Sequence, residues 1–148
     1  MLPIRKSLPH QVPPWVAEGG VFFVTICAEP RKTNQLCQPD LSLAVHESVS
    51  FLRERGEWWP RLLLLMPDHL HMLVSFAPVP GMKESVRNWK RFVARQYKVR
   101  WQRGFFDHRL RNDESLVEKA AYVRMNPVRE GLVGKAEDWP YVWEYAAS

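Results

Sequence analysis

Trp58-Trp-Pro-Arg-Leu-Leu-Leu-Leu-Met66-Pro67-Asp68-His69-Leu-His-Met-Leu-Val-Ser-Phe76 is the stretch that decides the fold. Two apolar runs, 58–66 and 69–76, are separated by Pro67-Asp68, a pair with turn chemistry at hairpin length, so the segment predicts two antiparallel strands. The period of a strand sends His69, His71, Leu73 and Ser75 to one face and Leu70, Met72, Val74 and Phe76 to the other. The second set is wholly apolar and marks a core side. The two imidazoles emerge together on the opposite side, close enough to share a cation, although a lone H-x-H is more often incidental than catalytic. A third ligand must come from elsewhere in the chain.

Working outward, Val21 to Cys27 is a β-branched and aromatic run bounded by glycines before it and Pro30 after it, and reads as a buried first strand. From Asp40 to Arg55, Leu43, Val45, Val49 and Leu52 are spaced for a helix, with Asp40 as its cap and Gly56 as its stop. Downstream of the hairpin, Met82 to about Arg100 predicts a long helix in which Val86, Trp89, Val93 and Tyr97 recur every three or four residues. A short strand is expected around Phe105 to Leu110, then a helix from about Asp113 to Met125 that Asn126-Pro127 terminates. The tail beyond Gly134 has no assignable pattern. Residues 1–20 contain Pro3, Pro9, Pro13 and Pro14, end in Gly19-Gly20, and read as an extended Pro-rich N-terminal arm. The order predicts one α+β domain over residues 1–148, an antiparallel sheet with packed helices in a ferredoxin-like arrangement.

Bulk properties narrow the function. The chain of 148 residues is 46% hydrophobic and 25% charged, in the globular range, with seven Trp and seven Phe as large packing units. A formal charge of +5 favours a polyanionic partner. Cys27 and Cys37 form neither a C-x-x-C pair nor a disulfide framework, which fits a reduced cytoplasmic setting and disfavours a zinc–thiolate site. The start lacks a continuous apolar segment, and the longest apolar run, Leu62 to Met66, is too short to span a bilayer.

Two further segments carry chemistry. In Tyr122-Val-Arg-Met-Asn126-Pro127, positions four apart stack on one helical face, so Tyr122 and Asn126 are expected to be neighbours. The helical step groups Leu116, Val117, Ala120, Ala121 and Val123 on one side and puts Tyr122 off that stripe with Ser115 and Lys119, while Arg124 points awkwardly into the apolar side. Between Lys83 and Arg111 the chain carries its densest positive charge. Lys83, Arg87, Lys90, Arg91, Arg95 and Lys98, with interleaved Trp89, Phe92, Tyr97 and Trp101, suit backbone tracking and base stacking, although a charge run is often only a solvated face.

These residues resemble a known family, the REP-associated tyrosine transposases, relatives of the insertion-sequence transposases within the HUH endonuclease superfamily. The resemblance is carried by Phe22-Phe-Val-Thr25 followed by Arg31, by Met66-Pro-Asp-His-Leu-His-Met-Leu-Val74, by Gly104-Phe-Phe-Asp-His108, and by Tyr122-Val-Arg-Met-Asn-Pro-Val-Arg-Glu-Gly-Leu-Val133. It implies the HUH endonuclease fold, with His69 and His71 as the paired metal ligands, Tyr122 as the nucleophile and Asn126 as the third ligand. The insertion-sequence relatives usually place Gln at the last position, one methylene longer. The implied activity is metal-dependent nicking and rejoining of single-stranded DNA through a 5′-phosphotyrosine. Two imidazoles and an amide oxygen suit Mg²⁺ or Mn²⁺. The implied partner is hairpin-forming repetitive DNA, with Arg5 and Lys6 of the arm helping to read it and the protein acting as monomer or homodimer. His108 and Lys119 are candidates to assist proton transfer or phosphate neutralisation. Two other readings stay open: a catalytically silent DNA-binding regulator on the same fold, and a small metallohydrolase that uses the His pair and a bound water without Tyr122.

Overall fold

The computed structural model of the chain describes residues 12–111 and 114–146. Its centre is the expected hairpin. Strand β2 runs Trp58–Met66 and β3 runs His69–Phe76, paired antiparallel from Trp58 opposite Phe76 to Met66 opposite His69. The register shifts between Pro60 and Leu62, where proline has no N–H to give the ladder. Strand β1 (Phe22–Cys27) pairs antiparallel with the free edge of β3, β4 (Phe106–Arg109) with β1, and β5 (Val142–Glu144) with β2. The sheet order is β4-β1-β3-β2-β5. Its first four strands have the order and antiparallel sense of the ferredoxin-like sheet, and β5, from the tail that showed no pattern, extends it.

Helices α1 (Pro14–Gly19), α2 (Pro39–Glu54), α3 (Met82–Tyr97), α4 (Leu116–Arg124) and α5 (Asn126–Arg129) complete the described elements, with a 3₁₀ turn at Ala136–Asp138. Helices α2 and α3 cover the apolar face of β3. There Trp58, fully buried, donates its indole N–H to the Val49 carbonyl at 3.0 Å and sits edge-on to Phe76 and against Trp89. Trp89 in turn donates to Ser48 Oγ at 2.8 Å, so both indoles bury their rings without losing their one polar bond. Trp58→Ala is expected to cost about 3–5 kcal/mol, read as a lower denaturant midpoint; an unchanged midpoint would show that this cluster is not the centre of the core.

Several expectations needed correction. The arm is not extended throughout: Pro14 opens α1, because its fixed φ suits a first helical position, and Gly20 at φ 78° ends it. Arg5 and Lys6 lie outside the described residues. Helix α2 starts at Pro39 after Gln38, so Asp40 sits inside its first turn rather than capping it, and Leu43 faces outward. Helix α3 stops at Tyr97 because Lys98 adopts a left-handed conformation. Helix α4 begins three residues later than expected, capped by Ser115, whose hydroxyl accepts from the Glu118 N–H at 3.1 Å. Its supposed apolar stripe is narrow: Val123 is buried, Leu116 and Ala120 are half-buried, and Val117 and Ala121 are exposed. Arg124 is no anomaly, for its guanidinium pairs with Glu144 of β5.

Candidate active site on the second face of the sheet

The face of β3 that carries the histidines is not open. Leu73 and Ser75 are fully buried and His71 is 9% exposed. Residues directly opposed across antiparallel strands share a face, so β1 contributes Phe23, Thr25 and Cys27 opposite Leu73, His71 and His69. Helix α4 lies over this side, its Lys119 ammonium 4.6 Å from the centre of the Phe23 ring. Phe23 itself stacks on His71 with ring centres 5.0 Å apart.

Each imidazole is held by a bond to its Nδ1. His69 Nδ1 lies 2.8 Å from Asp68 Oδ1, and His71 Nδ1 lies 2.9 Å from Thr25 Oγ1. Asp68 is anchored in turn by the Arg31 guanidinium at 2.8 Å and by the Lys32 backbone N–H at 2.7 Å. Burial works against its ionisation, but the bonds from Arg31, Lys32 and His69 outweigh it and hold the carboxyl well below the usual carboxylate range. An ionised Asp68 only accepts, so in the neutral ring His69 Nδ1 carries the proton and Nε2 keeps its lone pair. Thr25 can accept from His71 in the same way. That is how a supporting layer orients histidines that ligate a metal through Nε2. Burial, reinforced by repulsion from His69 when that ring is protonated and from the Arg129 and Lys119 cations, pushes the His71 pKa down to about 3, so this ring stays neutral at ordinary pH. The two ring centres stand 4.9 Å apart.

Tyr122 is 56% exposed, as its place off the apolar stripe predicts. Two cations flank its ring: the Arg129 guanidinium 4.0 Å from the ring centre and the Lys119 ammonium at 5.2 Å. The Arg129 guanidinium also donates to Asn126 Oδ1 at 2.9 Å. Tyr122 and Asn126 are therefore joined through Arg129, while His71 feels the charges of Lys119 and Arg129. Among the described residues no group of three or more His, Cys, Asp or Glu side chains could hold a metal ion; the Asn126 side-chain carbonyl is a donor of another type.

The remaining candidates are distributed differently. His108 on β4 is directly opposite Phe23 in the register and 3.1 Å from Glu114 Oε1. Lys83, Arg87, Arg91 and Arg95 are exposed on α3, and Lys98 just past its end; this helix packs on the other face of the sheet. Lys90 is engaged internally: its ammonium donates to the Gln102 and Gly104 carbonyls at 2.9 and 2.6 Å, and burial lowers its pKa. Trp89 is buried and Trp101 is half-buried against it, so neither can stack on a base, whereas Phe92 and Tyr97 are exposed. A cleft lined by Lys83, Arg87, Arg103, Phe105 and Asp107 links the basic helix to the β4 edge. Sequence reasoning missed Phe23, Thr25, Arg31, Asp68 and Arg129 as supports of the site, because a bond across elements has no local period. The one usable signal was that all five fall inside the motif segments.

No family model matches the chain. Among curated proteins it is 25% identical, over a 134-residue alignment covering 84% of this chain and 76% of the relative, to the REP-associated tyrosine transposase of Escherichia coli. A Haemophilus influenzae protein assigned to the same family is 26% identical over 144 residues, covering 84% of this chain and 79% of the relative. Among solved structures, a REP-associated tyrosine transposase bound to a REP hairpin matches with a TM-score of 0.70 and 19% identity over 88% of each chain. The chain is thus similar in sequence to REP-associated tyrosine transposases through most of both chains, and it shares its fold with one of them over nearly the same span.

Proposed function

We propose that the protein nicks and rejoins single-stranded DNA next to hairpins, with Tyr122 as the attacking group. The observation that carries this reading is the shared surface. Exposed Tyr122 lies beside Lys119, Lys119 lies over Phe23, and Phe23 stacks on His71, so a phosphate between the tyrosine and the histidines meets a nucleophile, two cations and two imidazoles. In the forward step the Tyr122 phenol gives up its proton as its oxygen forms a bond to the scissile phosphorus, the bond from phosphorus to the 3′ oxygen breaks, and that oxygen takes up a proton and leaves as a 3′-hydroxyl. One phosphodiester replaces another, so attack by the 3′-hydroxyl reverses the step and rejoins strands.

A phenol is a weak nucleophile near neutral pH, its reference pKa being about 10. A divalent cation, Mg²⁺ or Mn²⁺, bound through His69 and His71 would supply charge neutralisation at the phosphate. The tied Nδ1 atoms of both rings fit that role. Asn126 is the natural third donor by type, and its oxygen is presently shared with Arg129. Lys119 and Arg129 would bind phosphate oxygens and hold the strand against Tyr122.

The relative solved with a REP hairpin suggests the substrate class, a single strand adjoining a stem-loop. The exposed cations of α3 would track the stem around the β4 edge while the single strand enters the histidine face. The test is incubation of 5′- or 3′-labelled hairpin DNA with the protein and Mn²⁺ or Mg²⁺. The expected product is a protein–DNA adduct, stable to denaturation, on the 5′-phosphate side, absent with EDTA. Binding should also weaken steeply with added salt, in keeping with the +5 charge. The occupied Asn126 oxygen favours one other reading, a DNA-binding regulator that no longer cuts. Salt-sensitive hairpin binding with no adduct in either metal would select it.

A further inference from the structure

The contact between Arg129 and Asn126 has a consequence for how the site is assembled. Arg129 is an exposed residue on the short helix α5, three residues beyond Asn126, yet its guanidinium is ordered by two partners at once, the face of the Tyr122 ring at 4.0 Å and Asn126 Oδ1 at 2.9 Å. An amide oxygen that accepts from a guanidinium has lost part of its donor capacity towards a cation. The same guanidinium adds a positive charge close enough to act on His71.

We propose that Arg129 is a positioning residue that latches the site: it braces the Tyr122 ring and withholds the Asn126 side-chain oxygen from a divalent cation until a phosphate takes the guanidinium away. A phosphate oxyanion is a stronger partner for a guanidinium than a neutral amide is, and a bidentate one. The strand to be cut therefore releases Asn126 as it arrives, which ties completion of the donor set to the presence of DNA. The inference rests on His69 and His71 holding the metal. It goes beyond that reading by giving Arg129 a role that neither ligation nor nucleophilic attack covers.

The test is a binding cycle, read by Mn²⁺ titration of the full chain with no DNA and no turnover. Arg129→Ala is expected to bind Mn²⁺ about tenfold more tightly than the unaltered protein, in the range that a residue supporting a ligand commands. In an Asn126→Ala background the same change should have little effect, because there is no oxygen left to release. If Arg129→Ala tightens binding equally in both backgrounds, the guanidinium acts only as a repelling charge and the latch is overturned. An unchanged or weaker affinity in Arg129→Ala overturns it too. His71→Ala separates the two levels: if it abolishes Mn²⁺ binding while Arg129→Ala changes nothing, the metal reading stands and the latch falls. If His71→Ala binds Mn²⁺ as the unaltered protein does, both fall. Circular dichroism of each variant checks folding, and Arg129→Lys, which keeps the charge but loses the planar fork, is expected to bind Mn²⁺ with intermediate affinity.

Discussion

Replacing Tyr122 with Phe is expected to lower cleavage of a single-stranded hairpin substrate by at least about 10³-fold, with no covalent adduct, while DNA binding and the denaturant midpoint stay close to those of the unaltered protein. The separation is available because Tyr122 is more than half exposed and its ring, not its hydroxyl, makes the contacts with Arg129 and Lys119. Phenylalanine keeps a ring for both cations and deletes only the oxygen that would attack. Single-turnover cleavage alongside a binding titration reads the two effects independently. Cleavage at the normal rate would remove Tyr122 from the chemistry and return the His pair to a metal-bound water mechanism.

His71→Ala is expected to reduce cleavage by at least about 100-fold and to alter the acid sensitivity of the metal-free fold. The two effects share a cause. His71 is nearly enclosed, stacked on Phe23 and bonded to Thr25, and burial together with the positive charges around it holds its pKa at about 3, against an ordinary value near 6.5. A depressed histidine pKa means that the unfolded chain takes up a proton that the folded chain refuses. Stability from this residue is thus fully present above the unfolded value of about 6.5 and declines as pH falls from there towards 3, with a limiting slope of about 1.4 kcal/mol per pH unit. Alanine removes that component. Between pH 7 and pH 4.5 the denaturant midpoint of His71→Ala should fall less than that of the unaltered protein, even though it starts lower because the ring leaves a cavity. Parallel midpoints across that range would show that His71 is not the buried neutral ring described here.

Much of the fold was legible because its signals are local. The β2–β3 hairpin has the boundaries read from its sequence, since turn chemistry at Pro67-Asp68 and a two-residue alternation are properties of neighbouring residues. The same alternation placed His69 and His71 on one face, and helical spacing placed Tyr122 outside the core. Ends were less legible. Lys98 stops α3 by backbone conformation alone, without a glycine or proline to announce it. Residues 139–146 were opaque because their order comes from partners far away in the chain: Trp139 donates its indole N–H to the Leu65 carbonyl, and β5 forms only by pairing with β2.

By itself the sequence determined the periods, and through them the strands, the helices and the two faces of β3. Only the tertiary structure decided what meets across those faces. It put the basic helix α3 on the opposite side of the sheet from the histidines, tied Lys90 to the Gln102 and Gly104 carbonyls, gave Arg124 its Glu144, and set Arg129 between Tyr122 and Asn126. The physical reason is the range of the interactions. A period is written in residues a few positions apart, whereas a hydrogen bond or ring contact between elements depends on how whole faces pack, and that is settled by the buried core they share.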